Sequence, residues 1–152
     1  MAVSQKRSKK RSGASSQSRP EPPVIFLDEC VGGNRIAEMP RARGHDVRIP
    51  SEPGGIPRGL SDSEWTQQVA SRGWVAVTRD KRIQNRTAEK QAVAQAKLAL
   101  FVLRASGNLN GDDIVDIIDR AVPGMVKFLN SHGAPFIAGI YRDGRVKLRE
   151  QL

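Results

Sequence analysis

The sequence predicts a three-layer α/β/α fold: a mostly parallel central sheet, helices on both faces, and a C-terminal β-hairpin. Three observations predict it. Residues 24–27, 74–77 and 98–103 are short, uninterrupted apolar runs, so both faces of each strand are covered, as in a central parallel strand. Helix-like stretches alternate with these runs, and that alternation implies parallel pairing. The chain then closes with an apolar run at 136–141, the turn pair Asp143-Gly144 and a short run at 146–148, a strong hairpin signal.

In chain order, residues 1–22 hold Ser, Gln, Lys, Arg and Pro and almost no large apolar side chain. Such a segment cannot bury enough surface to offset ordering, so a disordered basic tail is expected there, with one folded domain over 23–152. The first strand is 24–27. A short helix follows the Gly32-Gly33 turn and runs to about Arg43, with Pro40 expected to kink it or end it early and Gly44 to close it. A second short strand, 45–49, belongs towards the sheet edge. The Pro- and Gly-rich stretch 50–60 is a loop. Ser61 then caps a helix, with Glu64 completing a capping box and Trp65, Val69 and Ala70 forming its apolar stripe. Gly73 ends that helix and strand 74–77 follows. Residues 86–97 read as helix and 98–103 as the fourth strand. Asn110 caps a long helix from Asp112 to about Asn130, with Pro123 expected to kink it. Ile114, Ile117, Ile118, Ala121 and Val122 form its buried face, and Asp112 and Asp113 suit its positive N-terminal dipole.

Composition narrows the classes. The chain has 152 residues, enough for one real core. It carries 25 Lys and Arg against 16 Asp and Glu. The first twenty residues hold six of the basic side chains (Lys6, Arg7, Lys9, Lys10, Arg11 and Arg19) and no acid, which leaves a net +3 for the rest. A basic tail on a mildly basic domain suits a polyanionic partner, or is merely a solubilising leader. No apolar run is long enough to span a membrane, and the basic N-terminus lacks the apolar core of a secretory signal, so the cytoplasm is the expected compartment. Cys30 is the sole cysteine and His45 and His132 the only histidines, which disfavours a disulfide or a structural zinc site.

The functional argument rests on acids. Asp28 follows the first strand and Asp80 the third, at the carboxyl ends where open α/β sheets place their ligands. Asp62 and Glu64 open the helix that leads into the third strand, on that same edge. Two carboxylates about 4 Å apart repel by roughly 4 kcal/mol at an effective dielectric near 20, so either one takes a proton or a divalent cation sits between them. Oxygen donors favour Mg²⁺ or Mn²⁺ over zinc, and such an ion activates water and bears the charge developing on a phosphodiester. Thr78 is placed to hydrogen-bond an acid or a metal-bound water, and Arg79, Lys81 and Arg82 to meet substrate phosphates. Each acid has a plainer reading. Asp28 and Asp80 can cap turns, Glu64 is explained by the capping box, and Asp62, Asp112 and Asp113 are ordinary first-turn acids. Trp65, Trp74 and Cys30 read as core.

Four segments in order, Phe26-Leu27-Asp28-Glu29, Arg43-Gly44-His45-Asp46-Val47, Asp62-x-Glu64-Trp65 and Val77-Thr78-Arg79-Asp80-Lys81, resemble the PIN-like ribonuclease domains, closest to the branch related to VapC-type toxins of bacterial toxin–antitoxin pairs. The resemblance runs from about residue 24 to 149 and includes the terminal hairpin. It implies a metal-dependent endoribonuclease, the toxin of a type II pair, with an RNA substrate, a cognate antitoxin protein and no membrane. Self-association into a homo-oligomer is left open. Matched to the family motif, Asp28 and Asp80 are metal-binding and catalytic acids, and Asp62 or Glu64 is the helix acid. Asp112 or Asp113 is a candidate for a further one. Glu29 and Cys30 stand where related domains often carry Asn. The alternative reading is a non-catalytic RNA-binding module that uses the basic tail and Arg79, Lys81 and Arg82. A receiver- or phosphatase-like domain fits less well, because position 30 is Cys and the fourth strand is followed by Arg104 rather than Lys.

Overall fold

The computed structural model describes residues 22–32, 34–84, 86–105 and 107–152, with only the backbone of Asn34, Lys81 and Gln84. Residues 1–21, where nearly all of the expected basic tail falls, lie outside the described residues. The described elements are β1 (Val24–Leu27), α1 (Asn34–Ala42), β2 (Asp46–Arg48), α2 (Asp62–Ser71), β3 (Val75–Thr78), a 3₁₀ turn (Lys81–Gln84), α3 (Thr87–Ala96), β4 (Ala99–Leu103), α4 (Gly111–Ser131), β5 (Phe136–Ile140) and β6 (Val146–Gln151). They form one six-stranded sheet in the order β2-β1-β3-β4-β5-β6. Every pairing is parallel except that of β5 with β6. The expected three-layer fold with a C-terminal hairpin is the one observed.

The two faces of the sheet bury different helices. Ile25, Leu27, Val77, Phe101 and Phe136 point to the side covered by α1 and α4, where Ile36, Ile114, Ile118 and Met125 meet them. Phe26, Ala76, Leu100 and Val102 point to the other side, against Trp65 and Val69 of α2 and Val93 of α3. All residues of β3 and β4 are buried, which is why those strands read as unbroken apolar runs. β1 lies between β2 and β3, so the chain leaves β1 towards one edge and returns to build the other. The carboxyl ends of β1 and β3 therefore flank the switch point, where the loops diverge and leave a crevice.

The helix signals act as expected at their starts. Ser61 accepts the N–H of Glu64, and Glu64 reaches back to the N–H of Ser61. Asn110 and Asp113 make the same reciprocal pair at the head of α4. Neither proline ends its helix. Pro40 lies inside α1, which continues to Ala42, and Pro123 lies inside a single helix of 21 residues. Pro123 is exposed, so its missing N–H falls on the solvent side, and the buried face of α4 outweighs a proline cost of about 3 kcal/mol. Trp74 also departs from its core reading: it is half-buried, with the guanidinium carbons of Arg48 and Arg72 each 5.1 Å from its ring. Among the described residues no helix is long and apolar enough to cross a membrane.

Both histidines are structural. His132 stacks on Phe128 at 4.0 Å. His45 Nε2 lies 3.0 Å from Asp119 Oδ1, and Arg43 meets the other oxygen at 2.9 Å, tying α4 to the chain after α1. The hydrogen bond from His45, aided by the charge of Arg43, holds the Asp119 carboxyl below the usual carboxylate range. A lowered carboxyl contributes stability above its unfolded pKa and loses it as pH falls through the folded one. Asp119→Asn is therefore expected to cost a few tenths of a kcal/mol at neutral pH, because the pair is partly exposed. Urea melts should show that gap closing from about pH 4 downward.

Candidate active site

The site is built where β1 and β3 end side by side. The Asp28 N–H donates to Val77 O at 3.0 Å, which extends the ladder by one residue and fixes Asp28 beside Thr78. The buried Thr78 hydroxyl donates to Asp28 Oδ2 at 2.9 Å and accepts the Asp80 N–H at 3.1 Å. One hydroxyl thus links the side chain of the first acid to the backbone of the second. The other oxygen of Asp28 accepts the Glu29 N–H at 2.8 Å, so Asp28 also caps its turn.

Cys30 is part of this cluster, against its reading as a buried core side chain. The residue is exposed, but its Sγ lies 3.3 Å from Asp28 Oδ2 and 3.2 Å from Thr78 Oγ1 and accepts the Arg79 N–H at 3.3 Å. Thr78 has one proton and gives it to Asp28, so the thiol is the donor towards the two oxygens. Desolvation raises the Cys30 pKa, and the neighbouring Asp28 charge adds to the effect. The thiol stays protonated at neutral pH and supports the carboxylate as a donor.

Asp62 faces Asp28 across a cavity of about 120 Å³ lined also by Phe26, Glu29, Pro50, Ile56, Pro57, Leu60 and Trp65. That volume holds about four waters. Trp65, stacked on Phe26 at 6.1 Å, donates its indole N–H to Asp62 Oδ1 at 2.9 Å and so aims the carboxylate. The 50–60 loop roofs the cavity, anchored by Ile56, which is fully buried. Glu64, the other candidate for the helix acid, is elsewhere. Its Oε1 accepts both the N–H and the hydroxyl of Ser61, and it does not line the cavity.

Asp80 departs most from the expected convergence. Its Oδ1 accepts the Arg82 N–H and Nε, each at 3.0 Å, and Oδ2 accepts Arg82 Nη2 at 3.1 Å. The guanidinium holds the Asp80 carboxyl below the usual carboxylate range. Arg82, expected to meet phosphate, is thus engaged with an acid, and it also lies in the field of Glu89 and Asp62. Glu89, in the first turn of α3, has Oε2 buried with no hydrogen-bond partner. The sequence reading missed this residue; its only signal was an acid near the start of the helix after Asp80. Arg79 is half-buried, and the side chain of Lys81 lies outside the described residues. Asp113 is engaged in its cap and Asp112 sits by α1, away from these acids.

Among the described residues, no three His, Cys, Asp or Glu side chains lie close enough together to hold a metal. The donor chemistry nonetheless fits a hard divalent cation: Asp28 and Asp62 bring carboxylate oxygens to one cavity, and Glu89 offers a buried oxygen without a partner. A third ligand from Asp80 requires Arg82 to release it. The guanidinium supplies the positive charge that clustered acids need.

A parallel α/β domain with acids at the switch point of its sheet defines the class. Comparison with family models places the chain more narrowly: residues 23–105 match the PIN-like domain, and the chain belongs to that family, with its nuclease-type fold. The match ends just after β4, so α4 and the hairpin lie outside it. No curated protein and no solved structure matches the chain.

Proposed function

We propose that this PIN-like domain is a metal-dependent endoribonuclease and the toxin component of a type II toxin–antitoxin pair. The observation that carries the catalytic reading is the Asp28–Thr78–Asp80 linkage at the switch point, with Asp62 across the cavity. Mg²⁺ or Mn²⁺ held by Asp28, Asp62 and Asp80 would supply Lewis-acid charge for hydrolysis of an RNA phosphodiester. The protein's own contributions follow from the geometry. Thr78 and the Cys30 thiol keep Asp28 Oδ2 pointed along the rim, and Trp65 fixes Asp62. Arg82 is the member open to exchange: 69% of its side chain is exposed, and an incoming phosphate would give its planar fork an alternative anion to Asp80. Exchange of Arg82 from Asp80 to phosphate would couple substrate arrival to completion of the acid set.

The test is cleavage of single-stranded RNA by the purified chain with Mg²⁺ and with EDTA. Asp62→Asn is expected to lose cleavage while Glu64→Gln keeps both cleavage and the cap, since Gln fills the same place in a capping box. Cleavage surviving Asp62→Asn and lost in Glu64→Gln would reverse the assignment. The antitoxin part is tested by whether the product of a neighbouring small gene co-purifies with the chain and stops cleavage.

One observation favours a second reading, an RNA-binding module without turnover: the two-pronged hold of Arg82 on Asp80. A binder would show no metal-dependent cutting and would lose most affinity and salt dependence on removal of residues 1–22.

A further inference from the structure

The carboxyl rim of the sheet reverses sign one strand beyond the acids. Register pairs Thr78 with Val102 and Leu103 with Ile140. Asp80, Arg104 and Tyr141 are therefore level across three adjacent strands, and at about 4.8 Å per strand they span about 10 Å. Arg104, Ala105, Arg120, Tyr141, Arg142, Asp143 and Arg145 line a cavity of about 450 Å³. Four arginines face one acid there, and that acid, Asp143, is paired with Arg145 at 2.7 Å.

The pocket is built rather than incidental. Arg104 Nη1 is buried with no hydrogen-bond partner, a costly arrangement that an anion's oxygen would relieve. The absence of a side chain at Gly139 makes room for this: a Cβ there would stand 3.1 Å from Arg104 Cδ and 3.2 Å from the Tyr141 ring and hydroxyl. Tyr141 is itself set among cations, with Lys147 Nζ 5.6 Å from its ring and Arg149 donating to its hydroxyl at 3.3 Å. An aromatic ring among guanidinium groups is the composition that holds single-stranded nucleic acid, with phosphates on the arginines and a base on the ring. Nothing in the acid cluster accounts for these residues, and all of them except Arg104 and Ala105 lie beyond the family match.

We propose that Arg104, Arg120, Arg142 and Arg145, with Tyr141, form a phosphate-binding track that receives the RNA strand where it leaves the acids. The track rests on RNA being the ligand of the neighbouring site. It extends the contact from a single phosphodiester to a length of strand.

The experiment measures binding of a fluorescein-labelled, single-stranded RNA to the full chain in EDTA, by anisotropy over a range of salt concentrations. The double variant Arg104→Gln, Arg142→Gln should bind about tenfold more weakly, and its log–log salt slope should fall by about 1.4, as expected for two lost phosphate contacts. Arg142→Gln alone, on an exposed turn, should give about half the slope change even if loss of the half-buried Arg104 weakens the fold. Lys97→Gln, at the amino end of β4 on the opposite rim of the sheet, removes one charge and should leave the slope unchanged. Wild-type affinity and slope in both arginine variants would overturn the track, would leave the arginines to an acidic protein surface, and would not touch the nuclease reading. Failure of the wild-type chain to bind RNA at all would overturn the track together with that reading.

Discussion

Asp80→Asn is expected to lower metal-dependent RNA cleavage by on the order of a hundredfold or more, since losing even an outer partner of a metal ligand costs 10- to 100-fold. The fold should survive. Asn keeps an acceptor for the Arg82 N–H that closes the turn, and the Asp80–Arg82 pair is too exposed to contribute much to stability. Activity and stability should therefore separate: a dead enzyme with a denaturation midpoint close to wild type. The same change frees Arg82. If Arg82 exchanges between acid and phosphate, RNA affinity in EDTA should rise in Asp80→Asn while turnover falls. A variant that binds no better and cuts as well as wild type would remove Asp80 from the site.

Phe101→Ala is expected to cost about 3–5 kcal/mol, the range for deleting a buried aromatic side chain. Phe101 is fully buried at the centre of β4, with parallel neighbours on both sides. It meets Phe136 edge-on at 5.5 Å and Phe128 at 6.2 Å, and those two meet each other at 4.9 Å. The three rings join sheet to α4, so the hole left by Phe101 cannot close without moving a strand or the long helix. Against a total stability of about 5–15 kcal/mol for such a domain, the variant should melt far below wild type or fail to accumulate. A loss under 1 kcal/mol in urea denaturation would mean that the core does not centre on these rings.

Much of the fold was legible because its signals are local. Buried parallel strands must be apolar on both faces, and those runs stand out from the sequence. Ser61 with Glu64 and Asn110 ahead of α4 marked two helix starts correctly. Pro40 and Pro123 do not end α1 and α4, because local propensity yields to burial of those helices. At the site, the acids on adjacent strands could be foreseen from strand ends. The orientation of their side chains could not. Asp80 and Arg82 pair across two residues through a 3₁₀ turn, a geometry that no periodicity encodes. Glu64 carried its own answer in the capping box, whereas the link from Trp65 to Asp62 needed a rotamer. Cys30 looked like a small core residue, because its contact with Thr78 spans 48 positions of sequence. The basic end of the rim was hidden for the same reason: Arg104, Arg120 and Arg145 are far apart in the chain and meet only when β4, α4 and the hairpin come together.

The account depends on Asp28 and Asp80 serving one divalent cation, and Mn²⁺ binding followed by electron paramagnetic resonance tests this without relying on turnover. The account predicts that the wild-type chain binds Mn²⁺ and that Asp28→Asn and Asp80→Asn each lose most of that binding. Mn²⁺ bound equally by wild type and both variants would contradict it.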